Sequence, residues 1–211
     1  MKIIEIKLKT DEKFKNRTAE KLRGYMGNHF KNIIEFHNHI DEITFNYETP
    51  SIQYRVVDGQ LNILGINKGA DILLDTMGEI ETINLDGKSI SVDLEIKVSF
   101  PKLEIVEDTR YKYKFETLWF ALNSKNYRKF LAGELDLNSQ LRNNIIEFFK
   151  LSNIWADKKI EVIGNFKEGK IIQKDTIIKG FYGEFETNVD LPDNISLGKR
   201  KSVGFGRIKK I

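Results

Sequence analysis

The sequence predicts an α+β protein of two tandem ferredoxin-like (RRM-like, βαββαβ) domains, residues 1–105 and 106–211. Three observations carry this expectation. The first hundred residues read strand, helix, hairpin, helix, strand, which is the ferredoxin-like order. The second half reads as the same plan with an extra helix and no visible sequence repeat. Between them Pro101 and the charged run Glu107-Asp108-Thr109-Arg110 mark a boundary.

Residues 2–9 set Ile4, Ile6 and Leu8 on one face, the alternation of a half-buried strand. Ala19, Leu22, Met26 and Ile33 then recur near the 3.6-residue period, with Thr18 as the cap. Gly24 and Gly27 each weaken that helix by about 1 kcal/mol relative to alanine. They are explained if another backbone approaches there. Residues 52–57 and 61–66 flank Asp58-Gly59, a strong hairpin signal. A short helix over 69–77 and strands in 79–85 and 90–100 complete the first half.

In the second half, 111–120 alternates as a strand, and helices are expected near 124–132 and 138–152. The second helix carries Leu141, Ile145, Phe148 and Trp155 on one stripe. Strands at 160–166 and 170–179 are expected to join through a turn at Glu168-Gly169. Phe181, Gly183, Phe185 and Thr187 alternate into another strand, and 203–211 supplies the last.

Composition narrows the function classes. The chain has 211 residues, 40% hydrophobic and 31% charged, enough for a packed core and unlike a disordered segment. The opening MKIIEIKLKT alternates as a strand rather than a signal peptide, and no 18-residue apolar stretch exists. With no cysteine, disulfide frameworks and thiolate metal sites are excluded, and a cytoplasmic location without membrane contact is expected.

The net charge of +3 hides a division. Residues 1–31 hold nine basic and four acidic side chains, and 194–211 hold six basic and none acidic. The middle is left at −8. Basic ends around an acidic middle suit a polyanionic partner; the plainer reading is that exposed termini collect lysine.

All three histidines fall within 11 residues: His29, His37 and His39. His29 sits at a helical position between Met26 and Ile33 and reads as a core-edge histidine. His37-Asn38-His39 follows the helix in a polar stretch, and in extended backbone both imidazoles point to one side. Three readings stay open. A zinc site needs carboxylate ligands that no motif supplies, and a surface pair has no role. In acid–base cleavage of a phosphodiester, one imidazole takes the ribose 2′-hydroxyl proton and the other protonates the departing 5′-oxygen, without metal or cofactor.

The second constellation is Gly198-Lys199-Arg200-Lys201-Ser202-Val203-Gly204-Phe205-Gly206-Arg207. Glycines at both ends let backbone amides approach a phosphate chain, and the basic side chains with Ser202 supply charge and a hydroxyl. It is not a Walker loop, because Asp193 stands where the first glycine is required and Arg200 replaces the hydroxyl residue after Gly-Lys. A glycine-rich turn with a solvated basic tip is the alternative.

A basic Gly-x5-Gly-hydrophobic-Gly loop near the C-terminus, with a histidine after the first helix, resembles the CRISPR-associated (Cas) family-six endoribonucleases of the RAMP superfamily. The likeness is closest to the "b" subfamily. Supporting segments occur in order: Leu22-Arg23-Gly24-Tyr25, His37-Asn38-His39, Pro50-Ser51-Ile52-Gln53-Tyr54-Arg55, Trp119-Phe120-Ala121-Leu122-Asn123, Ser152-Asn153-Ile154 and Asn188-Val189-Asp190-Leu191-Pro192. Two positions depart from the pattern. Ser196-Leu197-Gly198 opens with serine, and the tyrosine stretch is loosened to Tyr47-Glu48-Thr49-Pro50.

The resemblance implies two ferredoxin-like domains and metal-independent cleavage of precursor CRISPR RNA within its repeats. The products would carry 2′,3′-cyclic phosphate and 5′-hydroxyl ends. It implies His37, His39 and Tyr47 as catalytic residues. Gly198, Lys199, Arg200, Lys201, Ser202, Gly204 and Gly206 would hold the RNA backbone. Implied partners are CRISPR repeat RNA, single-stranded or stem-loop, and other Cas proteins of an effector complex, with the chain a monomer or homodimer. A RAMP subunit that holds guide RNA without cutting it is the alternative function.

Overall fold

The structure is a computed structural model that describes residues 1–37, 49–173 and 176–211. The chain divides into two compact units. The first is Met1–Pro101 with Ser202–Gly204, and the second is Lys102–Lys201 with Phe205–Ile211. Residues 102–105, expected with the first half, pack with the second. Ile105 bridges Val189, and the Asp190 amide donates to the Glu104 carbonyl.

In the first unit the elements are β1 (Ile3–Lys9), α1 (Thr18–His29), β2 (Ile52–Val57), β3 (Gln60–Ile66), α2 (Lys68–Thr76), β4 (Thr82–Leu85), β5 (Lys88–Ser91) and β6 (Asp93–Ser99). The main sheet runs β2-β3-β1-β6, all antiparallel, the ferredoxin-like strand order. Ile4, Ile6 and Leu8 are fully buried against Leu22, Met26 and Leu73 in one apolar cluster. Asp58 (φ 50°) and Gly59 (φ 78°) close the expected hairpin. A second Asp-Gly pair, Asp86-Gly87, closes β4 on β5, so the expected 90–100 strand divides at Val92 into β5 and β6. Thr18 makes no side-chain cap. Instead the amides of Thr18, Ala19 and Glu20 bond to the carbonyls of Lys15, Asn16 and Arg17.

The second unit holds β7 (Tyr111–Phe115), α3 (Tyr127–Leu131), α4 (Leu137–Leu151), β8 (Val162–Gln173), β9 (Thr176–Thr187) and β10 (Ile208–Lys210). Its sheet order β10-β7-β9-β8 repeats the ferredoxin-like arrangement, so the fold is α+β with two such domains in tandem. The second crossover, 188–207, carries no α-helix and is the glycine-rich loop.

Glu168-Gly169 is not a turn. β8 continues through it, with Glu168 opposite Phe181 and Gly169 opposite Gly180. The two glycines leave room for Leu118: a Cβ at either would lie 2.7 Å from its side chain. The expected 160–166 strand and residues 170–173 of the next are therefore one 12-residue strand, β8, whereas 176–179 belong to β9. Trp155 also departs from expectation, lying beyond the end of α4 and 87% exposed.

The core of the second unit is aromatic. Phe115 and Trp119 stack at 5.2 Å with planes 3° apart, and Phe166, Phe181 and Phe185 surround them. Asn144, on the buried stripe of α4, accepts the Trp119 indole N–H at 3.0 Å. Asp136 caps α4, accepting from the amides of Asn138 at 2.9 Å and Ser139 at 3.2 Å. The hydrogen bond from the Ser139 hydroxyl is the main cause holding its carboxyl below the ordinary value of 3.8.

Asp136→Ala is expected to cost about 1 kcal/mol of stability, measured by denaturant unfolding. A depressed folded pKa stabilises above the unfolded value, so the difference between variant and wild type is full near neutrality. It shrinks as pH falls below 3.8 and the cap protonates.

Candidate active site and basic loop

The loop begins at a neck. The Leu197 amide donates to the Gly206 carbonyl at 2.9 Å, and Ser196 bridges Arg207. The neck is seated on the chain after β7, where the Gly206 amide donates to the Leu118 carbonyl at 2.9 Å and the Lys199 amide to the Phe120 carbonyl at 3.0 Å. Gly198 (φ +83°) and Gly206 (φ +66°) are in the left-handed region. A Cβ at Gly198 would stand 2.6 Å from the Trp119 indole nitrogen, and one at Gly206 would collide with the Leu197 carbonyl. Gly198, Gly204 and Gly206 are buried, and the Gly206 amide is taken by the Leu118 carbonyl.

Upstream, Tyr113 anchors the approach to the loop. Its hydroxyl accepts the Leu191 amide at 2.8 Å and lies 3.1 Å from the Leu191 carbonyl as donor. Burial pushes this phenol well above the ordinary value of 10.

The basic residues of the loop divide by environment. Lys199 is exposed. Arg200 is half-buried, its guanidinium 5.4 Å over the Phe205 ring, which packs against Phe120 at 4.8 Å. Lys201 is paired with Glu147 at 3.0 Å. Lys199 and Arg200 open onto a cleft of ≈ 490 Å³, which Phe120, Tyr127, Arg128 and Lys179 also line. Its described lining holds four basic and no acidic side chains.

Ser202–Gly204 belong to the first unit. The Arg23 guanidinium on α1 donates to the Ser202 hydroxyl at 3.3 Å and to the His37 carbonyl at 2.8 Å. Gly27, one turn along α1 from Arg23, allows His37 to sit close: a Cβ there would lie 3.0 Å from the His37 Cβ. Gly24 has open space instead, so the expected close approach holds at one glycine of the two. Gly204 lies over β2, where an added Cβ would meet the Tyr54 carbonyl and the Arg55 Cβ at 3.0 Å. Arg55 is buried and paired with Glu5 at 3.0 Å.

His37 is half-buried after a 3-10 turn, Ile34–Phe36, with its amide bonded to the Ile34 carbonyl. Its Nε2 lies 3.0 Å from the Lys31 carbonyl. A carbonyl only accepts, so Nε2 carries a proton in this arrangement. Burial lowers the pKa of Arg23, with Tyr54 and Glu20 opposing the shift. Tyr54 donates to the Phe36 carbonyl at 3.2 Å, and burial pushes its phenol far up. His29 is exposed rather than at the core edge, in ring contact with Tyr25 and Phe30. His39 and Tyr47 lie outside the described residues. Among the described residues no cluster of three His, Asp or Glu could hold a metal ion, and no helix is long and apolar enough to cross a membrane.

Arg23 is the site residue that sequence reasoning does not single out. It stands inside the quoted Leu22-Arg23-Gly24-Tyr25 segment, but its spacing to residues 37 and 202 carries no periodic signal. Arg128 and Lys179 escape sequence reasoning for the same reason, since only the tertiary fold gathers them around Lys199.

Two ferredoxin-like units with a basic glycine-rich crossover define a protein of the RAMP-like fold. Within that class, the Cas6b N-terminal domain family matches residues 1–99 and the Cas6b C-terminal domain family matches 105–211. The chain belongs to the Cas6b family. A crystal structure of Cas6b superposes with a TM-score of 0.87 at 26% identity, covering 100% of both chains. A CRISPR RNA processing endoribonuclease Cas6b superposes at 0.73 with 24% identity, again over 100% of both, a likeness of fold. The protein MJ0978 of Methanocaldococcus jannaschii is 30% identical over 152 residues, covering 64% of this chain and 99% of that one.

Gly206→Ala is expected to destabilise by on the order of 1–3 kcal/mol, from left-handed backbone strain alone. A thermal melt reads the loss. Gly24→Ala, with open space at its Cβ, is the contrasting change and should stabilise slightly.

Proposed function

We propose that the protein is an endoribonuclease that cleaves precursor CRISPR RNA within its repeats by metal-independent histidine acid–base catalysis. The observation that carries the reading is Arg23, whose single guanidinium holds the His37 backbone and Ser202 of the basic loop. Within the first unit, a proton-transfer group and the Ser202 hydroxyl are thereby tied to one side chain. Membership in the Cas6b family supports the substrate.

In the proposed reaction one histidine of the His37 and His39 pair takes the proton of the ribose 2′-hydroxyl. The O2′ attacks phosphorus, and the bond from phosphorus to O5′ breaks. The other histidine protonates the departing O5′, giving a 2′,3′-cyclic phosphate and a 5′-hydroxyl. Two imidazoles cover both proton transfers, so the step needs no metal-bound hydroxide. Tyr47 is assigned to orienting the phosphate, and Arg23 is a positioning residue that holds the His37 backbone. Lys199 and Arg200 supply the phosphate contacts, with Lys201 a weaker contributor because Glu147 already neutralises it.

Cleavage of repeat RNA is expected to persist in EDTA and to fall about 10²–10⁴-fold in His37→Ala. Its dependence on pH should be bell-shaped, and mass spectrometry of the products should show the cyclic phosphate. Loss of cutting on chelation, or an unchanged rate in both His37→Ala and His39→Ala, overturns the mechanism. Binding without any cutting identifies the RNA-holding subunit instead.

Lys199→Ala combined with Arg200→Ala should weaken RNA binding and reduce the salt slope by about 0.7 for each single-strand phosphate no longer neutralised. Lys201→Ala should change the slope less. Fluorescence anisotropy across a salt series checks both.

A further inference from the structure

The sheet of the first unit is covered unevenly. β2 at one edge and the interior β3 are almost wholly buried, whereas β6, at the other edge, is largely exposed. Ile96 and Val98 are each 44% exposed and Phe100 is 75% exposed. They lie on the core-facing side of the sheet, because Ile96 pairs with buried Ile6 and Val98 with buried Ile4. Among the described residues, no hydrogen bond is seen from the outer edge of β6 to another part of the chain. Natural sheets usually guard such an edge with proline, a bulge, inward-pointing charge or charged edge side chains. β6 has only the last, Asp93, Glu95 and Lys97 on its outer face, and Glu95 and Lys97 are opposite in sign where they would meet a second copy. Its core-facing side runs Leu94, Ile96, Val98 and Phe100.

We propose that this edge is a two-fold interface, in which β6 pairs antiparallel with β6 of a second copy of this chain, centred on Ile96. The proposal rests on charge pattern and is independent of the catalytic reading. A two-fold axis through the sheet keeps each face on its own side, so only registers whose paired numbers sum to an even value are allowed. Centring on Glu95 opposes Glu95 to itself, and centring on Lys97 opposes Lys97 to itself. Centring on Ile96 sets Glu95 opposite Lys97 of the other copy, twice. The same register sets Leu94 against Val98 and Ile96 against Ile96, so the apolar stripes of both copies join. Opposite charges and apolar pairs directly across strands stabilise a sheet, and like charges oppose it. The result is one eight-stranded sheet through two first units, with both open edges paired.

The absence of cysteine makes the register directly testable. In this pairing the two Ile96 Cα atoms stand about 4.5–5.5 Å apart, within disulfide reach. The two Val98 Cα atoms stand about 14 Å apart, four residues along and one strand spacing across. Purified Ile96→Cys is expected to form a disulfide-linked dimer on mild oxidation, and Val98→Cys is not. Failure of Ile96→Cys to crosslink, or equal crosslinking by Val98→Cys, overturns the register.

Light scattering after size exclusion supplies a second measurement. The wild type should be dimeric and Glu95→Lys monomeric, and the exchange of both charges (Glu95→Lys with Lys97→Glu) should restore the dimer. A monomeric wild type, a dimeric Glu95→Lys, or a double exchange that stays monomeric rejects the interface. Glu95 also pairs with Lys9 at 2.8 Å, so circular dichroism of each variant separates a failure to pair from a failure to fold. If Glu95→Lys fails to fold, the cysteine pair still decides.

Discussion

The contact on which the candidate site depends is one half-buried guanidinium. Arg23 cannot shed its charge, and partial burial makes that charge costly unless its N–H groups are met. They are met by a backbone carbonyl of residue 37 and a side-chain hydroxyl of residue 202. A planar fork fixes the directions of both bonds, which a lysine ammonium does not. Two points 165 residues apart in sequence are therefore held by one rigid group. The packing beneath it agrees with this use. Gly27 gives way to His37, Tyr54 holds the Phe36 carbonyl just before it, and Gly204 lets the loop lie on β2. The first two of these contacts limit where the His37 backbone can go.

The loop itself separates two tasks that its composition mixes. Its glycines point inward and let the chain fold tightly against Trp119, Leu197 and Arg55. Its charges point elsewhere and are graded. Lys199 is open to solvent, Arg200 is braced on Phe205, and Lys201 is neutralised by Glu147. An exposed lysine keeps its rotamer freedom and attracts phosphate over a Debye length. A braced arginine has given up part of that freedom already and can hold one geometry. The cleft beside them adds Tyr127, an aromatic face suited to stacking, to the four cations.

Much of the fold is legible in the sequence because its signals are local. Alternation in β1 and the Asp58-Gly59 turn depend only on neighbours in the chain, and they point to the ferredoxin-like order directly. Glu168-Gly169 misleads for an equally clear reason. A glycine reads as a turn when its neighbours are polar, yet here it makes space for Leu118, a residue from another segment. Trp155 falls on the α4 stripe by period alone, although the helix ends before it. At the site, His37 and the basic loop are visible as residue types in unusual company. Arg23 is not, because its partners are a carbonyl and a hydroxyl that any sequence could supply.

The second unit shows why the loop needs so specific a sequence. In the first unit the crossover before the last strand is α2, which satisfies its own backbone. The matching crossover, 188–207, has only the 3-10 turn Lys201–Val203 and no α-helix to absorb its amides and carbonyls. They must find partners outside, and residues 118–120 provide them by behaving as a short strand. The Leu118 and Phe120 carbonyls take the amides of Gly206 and Lys199, while Trp119 turns the other way and exchanges both bonds with Phe181. Tyr113 satisfies Leu191 further up. Replacing a helix with a loop therefore commits Tyr113, Leu118, Trp119 and Phe120 to holding it. It also forces glycine at 198 and 206, where the loop meets the indole and its own strand. The gain is a turn that opens Lys199 and Arg200 onto the basic cleft of the second unit.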